Sequence, residues 1–121
     1  MSLLLIDKSA YVRGADGDDD DELCLCAVTR LELLYSARSP DDFEQLENDL
    51  AAFRDLRMDA ETFQVALSAQ RELAASRRHR IPIPDLLIAS CAQQHAADVA
   101  HVDRHYDVLS TVLAFTPRRV G

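Results

Sequence analysis

The sequence predicts an α/β fold with helices packed around a short, mainly parallel sheet. Two observations carry that expectation. Short apolar runs alternate with helical patterns along the whole chain, the order that right-handed strand–helix–strand crossovers produce. With 121 residues, 48% of them hydrophobic, the chain can bury one real core. It carries neither an internal repeat nor a linker, so residues 1–121 are expected to form a single domain.

Each element follows from its own pattern. LLLID (3–7) is a short apolar run ending in an acid, the pattern of a buried strand. SAYVR begins a short helix that Gly14 and Gly17 break. The acidic run DGDDDDE (16–22) reads as a solvated loop, because adjacent like charges repel and point apart. LCLCAV (23–28) is a second buried strand. Thr29 opens the helix TRLELLYSA, where T-x-x-E matches a capping box with Glu32 at the third helical position. Ser39 as cap and Pro40 at the first helical position start a helix running to about Arg54. DLRM (55–58) is a short edge strand, and AETFQVALSAQRELAASRR (60–78) is a long amphipathic helix. In RIPIPDLLIAS (80–90) one acid, Asp85, precedes a helix that is apolar nearly all round; on its own it suits an N-cap. DVAHV (98–102) is a third strand, DRHYDVLSTV (103–112) a short helix, and LAFTP (113–117) the last strand.

Composition narrows the function classes. The net charge of −8 argues against gripping nucleic acid by bulk electrostatics. It is compatible with a nuclease that gathers carboxylates around a divalent metal behind a local basic rim. All but Lys8 of the 13 positive side chains are Arg, the better partner for bidentate phosphate contacts. No apolar stretch approaches the roughly 20 residues of a spanning helix, and MSLLLID is too short and too acidic at its end for a signal peptide. A cytoplasmic address is expected. The three cysteines, with Cys24 and Cys26 in C-x-C, lack zinc-site spacing and read as buried thiols in a reducing compartment.

In a parallel sheet the ligand site lies beyond the carboxyl ends of the strands. Asp7 ends the first strand, Glu32 follows the second, Asp85 opens its helix and Asp103 ends the third strand, so all four acids fall on that edge. Four converging carboxylates repel unless a positive charge sits among them, and Mg2+ or Mn2+ is the natural counter-charge for oxygen ligands. Such an ion lowers the pKa of bound water and stabilises charge on a phosphodiester.

LLIDKSA, TRLELLYSARS, IPIPDLLIASCA and HVDRHYDVL together resemble the four signature segments of PIN-domain ribonucleases, more specifically the VapC-type toxins of bacterial toxin–antitoxin pairs. The likeness spans nearly the whole chain. It implies a three-layer α/β/α sandwich, a metal-dependent endoribonuclease acting on RNA, and Asp7, Glu32, Asp85 and Asp103 as catalytic metal ligands. It also implies a homodimer and a VapB-like antitoxin whose C-terminal segment occupies the toxin's groove, with DNA contacted only through the antitoxin. Ser9 matches the family's hydroxyl and suits the orientation of Asp7 or of a metal-bound water.

The chain departs from the family at several places. Lys8 stands where Thr is frequent, His105 where a further acid is frequent, and the first helix is short. Lys8 is a candidate contact for phosphate or antitoxin. His105 reads as surface filler or as a hydrogen-bond partner of water or substrate. Asp107, one turn past Asp103, is left outside the primary set. Arg13, Arg30, Arg77, Arg78, Arg80 and Arg104 are candidate basic contacts, SRRHR reading equally as an RNA-facing rim and as a helix C-terminus suited to cations. Leu33, Leu34, Tyr35, Phe43, Leu46 and Leu50, apolar at helical spacing, read together as the walls of an antitoxin groove and, each taken singly, as packing of the domain core. Competing functions are a non-catalytic antitoxin-binding partner, a receiver-like regulatory domain and a structural metal module.

Overall fold

The computed structural model describes residues 2–120. In chain order the elements are β1 (Ser2–Ile6), α1 (Lys8–Val12), β2 (Asp21–Leu25), α2 (Ala27–Tyr35), α3 (Pro40–Leu50), β3 (Arg54–Asp55), α4 (Ala60–Ala75), α5 (Ile83–His95), β4 (Asp98–His101), α6 (His105–Leu109) and β5 (Pro117–Arg119). The strands form one sheet of order β3-β2-β1-β4-β5, and every pairing is parallel. This is the expected α/β/α architecture.

Alternation along the buried strands builds the two outer layers. Leu4, Ile6, Leu25 and Ala100 face one side and pack with Ala10, Leu33 and Leu50 of α1, α2 and α3. Leu5, Cys24 and Val99 face the other, against Leu73 of α4, Ile88 and Ala89 of α5, and Tyr106 and Leu109 of α6. All three cysteines are free and buried, as expected. Asp59 and Thr62 close a capping box on α4, and Gln94 of α5 bonds both side chains, locking the two helices together.

Several local expectations are corrected. Residue 26 already caps α2, with extended backbone and no side-chain cap bond, so the helix begins at Ala27 rather than at Thr29. Thr29 is fully buried and its hydroxyl lies 3.7 Å from the Cys26 thiol, which leaves no capping box for Glu32 to close. Helix α3 stops at Leu50, because the chain must turn for Arg54 and Asp55 to pair with β2. In α5 the cap position is Pro82, so Asp85 is the third residue of the helix, in its first turn, rather than its cap. The last strand is shifted from LAFTP to Pro117–Arg119, and Leu113 enters the core instead. Of the two readings of the apolar residues of α2 and α3, core packing holds for most. Leu33 and Leu50 are core, Leu34 and Leu46 pack against it, and only Tyr35 and Phe43 of the six stay exposed.

The acidic run is not all loop either. Asp21 and Glu22 belong to β2, and the Asp21 side chain is 3% exposed. Arg118 of β5 places its guanidinium 2.7 Å and 3.1 Å from the two Asp21 oxygens and also bonds Asp98 at 2.9 Å. One cation thus joins the first residues of β2 and β4. Gly17 makes room for this arrangement: its φ is +67°, and a Cβ there would lie 2.9 Å from both Asp21 Oδ2 and Leu4. Left-handed backbone costs a side-chain-bearing residue about 1–2 kcal/mol even without that clash, so Gly17→Ala is expected to lower stability by at least about 1 kcal/mol in urea unfolding.

Arg118 holds the Asp21 carboxyl below its ordinary value of 3.8 through their hydrogen bonds, aided by the Asp18 backbone N–H. A depressed carboxyl stabilises the fold above its unfolded pKa and loses that contribution as pH falls through the folded value. Arg118→Leu should therefore lower the melting temperature at neutral pH, and the gap to the wild type should narrow below about pH 3.8. A gap independent of pH would show that the latch acts through packing alone.

Candidate active site

Sheet order fixes where chemistry can sit. From central β1 the chain runs outward through β2 and β3, then returns to place β4 and β5 on the other side. The reversal lies between β1 and β4, and a crevice opens beyond their carboxyl ends. Asp7 directly follows β1, and Asp103 stands two residues past β4. Glu32 reaches the same place from α2 and Asp85 from the first turn of α5. All four acids line one cleft of about 340 Å3, together with Lys8, Ser9 and Arg13.

Hydrogen bonds fix three of these side chains, those of Asp7, Asp85 and Asp103, before any ligand arrives. Asp7 is 5% exposed, and its Oδ1 accepts from Ser9 Oγ and from the Ala10 N–H, both at 2.8 Å. Ser9 Oγ in turn accepts the Val102 N–H at 3.2 Å. The hydroxyl therefore orients Asp7 and ties the end of β1 to the segment carrying Asp103. Asp103 Oδ1 accepts the His105 N–H at 3.0 Å. Asp85 presents Oδ2 to His105 Nδ1 at 2.9 Å and Oδ1 to the Tyr106 hydroxyl at 3.4 Å.

The electrostatics record crowding of like charge. Burial pushes the Asp7 carboxyl up, against the Ala10 and Ser9 bonds that favour its charged form. Asp85 is raised by burial and by the charges of Asp103 and Asp7, with His105 opposing. Glu32 is raised by burial and by Asp85 and Asp7, with Lys8 opposing. A set of oxygen donors that resists losing its protons fits a hard divalent cation, which would relieve desolvation and repulsion together.

The other candidate residues divide by position. Lys8 and Arg13 line the cleft; Arg77, Arg78 and Arg80 do not. SRRHR ends α4: the Arg78 N–H bonds the Leu73 carbonyl and Arg77 takes a φ of 60°, so this stretch forms a helix-terminating turn. Arg30 is committed to Asp55 and to the carbonyls of Leu50 and Phe53, away from the site. Arg104 is exposed beside Asp103, and Asp107 is exposed outside the cleft lining. His105 is the main correction: it is no surface filler but bridges Asp85 and Asp103, at 2.9 Å and 3.1 Å. Tyr106 and His101 were missed. Both are fully buried, with rings 5.0 Å apart, and neither His101 nitrogen has a hydrogen-bond partner among the described residues. In sequence they are indistinguishable from core residues.

A family model described as PIN domain matches residues 5–111. This chain belongs to the PIN-domain family. Its PIN domain is 41% identical over 120 residues to Ribonuclease VapC17 of Mycobacterium tuberculosis (strain ATCC 25618 / H37Rv), covering 93% of this chain and 90% of that protein. Among solved structures, the PIN domain resembles VapBC-5 from Mycobacterium tuberculosis, a member of the VapBC family of toxin–antitoxin systems. There the identity is 25% and the TM-score 0.75, over 99% of this chain and 100% of that one. VapBC2 from Rickettsia felis, bound to a DNA fragment from their promoter, shares the fold with a TM-score of 0.80 at 15% identity, over 99% of this chain and 100% of that one.

A carboxyl raised by burial costs stability once pH rises above its unfolded value, because the folded state must then ionise it at a penalty. Asp7→Asn keeps the acceptor for Ser9 and Ala10 and removes that charge. In metal-free buffer at pH 7 the variant should melt higher than the wild type, the difference vanishing as pH falls below about 3.8. A lower melting temperature at pH 7 would mean that Asp7 serves the fold as a cap rather than the site.

Proposed function

We propose that this PIN domain is a metal-dependent endoribonuclease, the toxin of a toxin–antitoxin pair, which cleaves RNA phosphodiesters and so inhibits translation or growth. The observation that carries the reading is the convergence of Asp7, Glu32, Asp85 and Asp103 in one cleft at the switch point of the sheet. The kinship with Ribonuclease VapC17 supports it. Membership of the PIN family sets aside the receiver-like alternative.

Asp7 and Asp103 are the most direct ligands for Mg2+ or Mn2+, with Glu32 and Asp85 binding directly or through water. When bound, the cation offsets the acids' charge and makes water a stronger nucleophile toward phosphorus. Ser9 keeps the Asp7 carboxylate aimed into the cleft, and the Val102 backbone fixes Ser9 in turn. Lys8 and Arg13, the cationic residues of the lining, draw in and orient the phosphate. Glu32, lifted toward working pH and free of any capping duty, is suited to take the proton of the attacking water at its carboxylate.

A VapB-like antitoxin is the regulatory partner in this reading. Val12, which lines the cleft, is 72% exposed; Leu31 and Tyr35 of α2 are 69% and 90% exposed. They offer an apolar landing strip leading to the acids, and a basic antitoxin side chain would neutralise the cleft. DNA is reached only through that partner. The homodimer is assigned to the opposite layer, where Phe63, Leu67 and Ile83 leave an apolar face on α4 and α5. No helix among the described residues is long and apolar enough to cross a membrane, and a cytoplasmic site of action belongs to the same proposal.

Purified protein freed of its partner should cut RNA with Mg2+ or Mn2+. Glu32→Gln should reduce the rate about 100-fold or more without lowering the melting temperature. A harmless chain that cuts no RNA with either ion would leave a non-catalytic partner as the better account. Leu67→Asp should convert a dimer to a monomer in light scattering; a dimer that persists would place the interface elsewhere.

A further inference from the structure

We propose that His105 is itself a ligand of the active-site metal and sets the site's preference for Mn2+ over Mg2+, an inference that rests on the metal-dependent reading above. His105 is the first residue of α6, and its N–H bonds Asp103 Oδ1 at 3.0 Å, a tight turn that folds the imidazole back over the acids. Nδ1 then lies 2.9 Å from Asp85 Oδ2 and 3.1 Å from Asp103 Oδ1. The ring nitrogen thus bonds one carboxylate and lies beside a second.

That spacing has a second meaning. Ligand atoms about 2.1 Å from one octahedral ion stand about 3 Å from their neighbours, the product of that radius and the square root of two. Asp85, Asp103 and His105 offer ligand atoms that all lie within 4.8 Å of one another. The two Nδ1–carboxylate separations, 2.9 Å and 3.1 Å, match the spacing of neighbouring ligands of a single ion. Coordination through Nδ1 needs that nitrogen's lone pair, with the hydrogen of the neutral ring carried on the other nitrogen. Tyr106 holds Asp85 by its opposite oxygen, which leaves Oδ2 directed at His105.

Donor chemistry then decides the ion. Carboxylate oxygens suit Mg2+ and Mn2+ alike, whereas imidazole suits transition metals and adds little for Mg2+. A nitrogen at the edge of an otherwise oxygen-rich cleft shifts selectivity toward Mn2+ without excluding the oxygen ligands. His105 is not among the residues lining the cleft; it meets it through Asp85 and Asp103, at the rim where its side chain is 34% exposed.

The test compares the intact wild type with His105→Asp and His105→Ala, titrated separately with Mn2+ and Mg2+. Affinities are read from thermal shifts, and Mn2+ coordination from nitrogen coupling in pulsed electron paramagnetic resonance. The wild type should bind Mn2+ at least about 10-fold more tightly than Mg2+ and show nitrogen coupling. His105→Asp, which keeps a ligand, should lose the coupling and shrink the preference about 10-fold; His105→Ala should weaken Mn2+ binding by about 10-fold or more. Wild-type Mn2+ binding without nitrogen coupling, or a preference unchanged in His105→Asp, overturns the ligand role while leaving metal-dependent cleavage standing. Wild-type protein that neither binds nor cleaves with either ion overturns both.

Discussion

Repulsion among four carboxylates is the constraint around which the active end of this molecule is organised. Left alone, Asp7, Glu32, Asp85 and Asp103 would rotate apart into water. They are kept together because each is anchored to a different rigid element, and because Asp7 and Asp85 are further held by neighbours. Burial and mutual repulsion raise three of these carboxyls, a cost that the packed sheet beneath sustains and that the proposed cation would relieve.

The two ends of the sheet treat charge in opposite ways. At the amino ends of β2 and β4, Asp21 and Asp98 are neutralised by one guanidinium, and the Asp21 carboxyl is stabilised in its charged form. At the carboxyl ends, Asp7, Glu32 and Asp85 are all raised, chiefly by burial, and Lys8 and His105 compensate only in part. The same residue type thus serves as a structural latch where a cation is built in, and as a binding site where a cation must be supplied. The imidazole of His105 stands between these cases, built into the chain yet in reach of both Asp85 and Asp103.

The outer layers divide the remaining work. Helices α1 and α2 carry site residues on their cleft side and leave Val12, Leu31 and Tyr35 in solvent, so a partner that covers this apolar surface also covers the acids. Helices α4 and α5 leave a separate apolar face around Phe63, Leu67 and Ile83. The two exposed apolar surfaces thus lie on opposite sides of one sheet, which lets the proposed antitoxin and the proposed second copy dock without sharing residues.

The order of strands and helices, the parallel sheet and the four acids at its carboxyl edge were legible in the sequence, because continuous apolar runs and helical periodicity are local properties and crossover handedness does the rest. Boundaries were less legible. T-x-x-E satisfies a local capping rule at Thr29, yet burial of Thr29 draws the helix start back to Ala27 and releases Glu32 to the cleft. Asp85 looks like a cap in its own segment, but its oxygens are claimed by His105 and Tyr106, about twenty residues away. Asp21 looks like one more solvated charge until Arg118 reaches it across 97 positions of chain. The sequence by itself determined which residue types stand at the ends of which strands. Only the tertiary structure decided which charges are paired and which are left for a ligand, because pairing depends on distances between segments that no local pattern encodes.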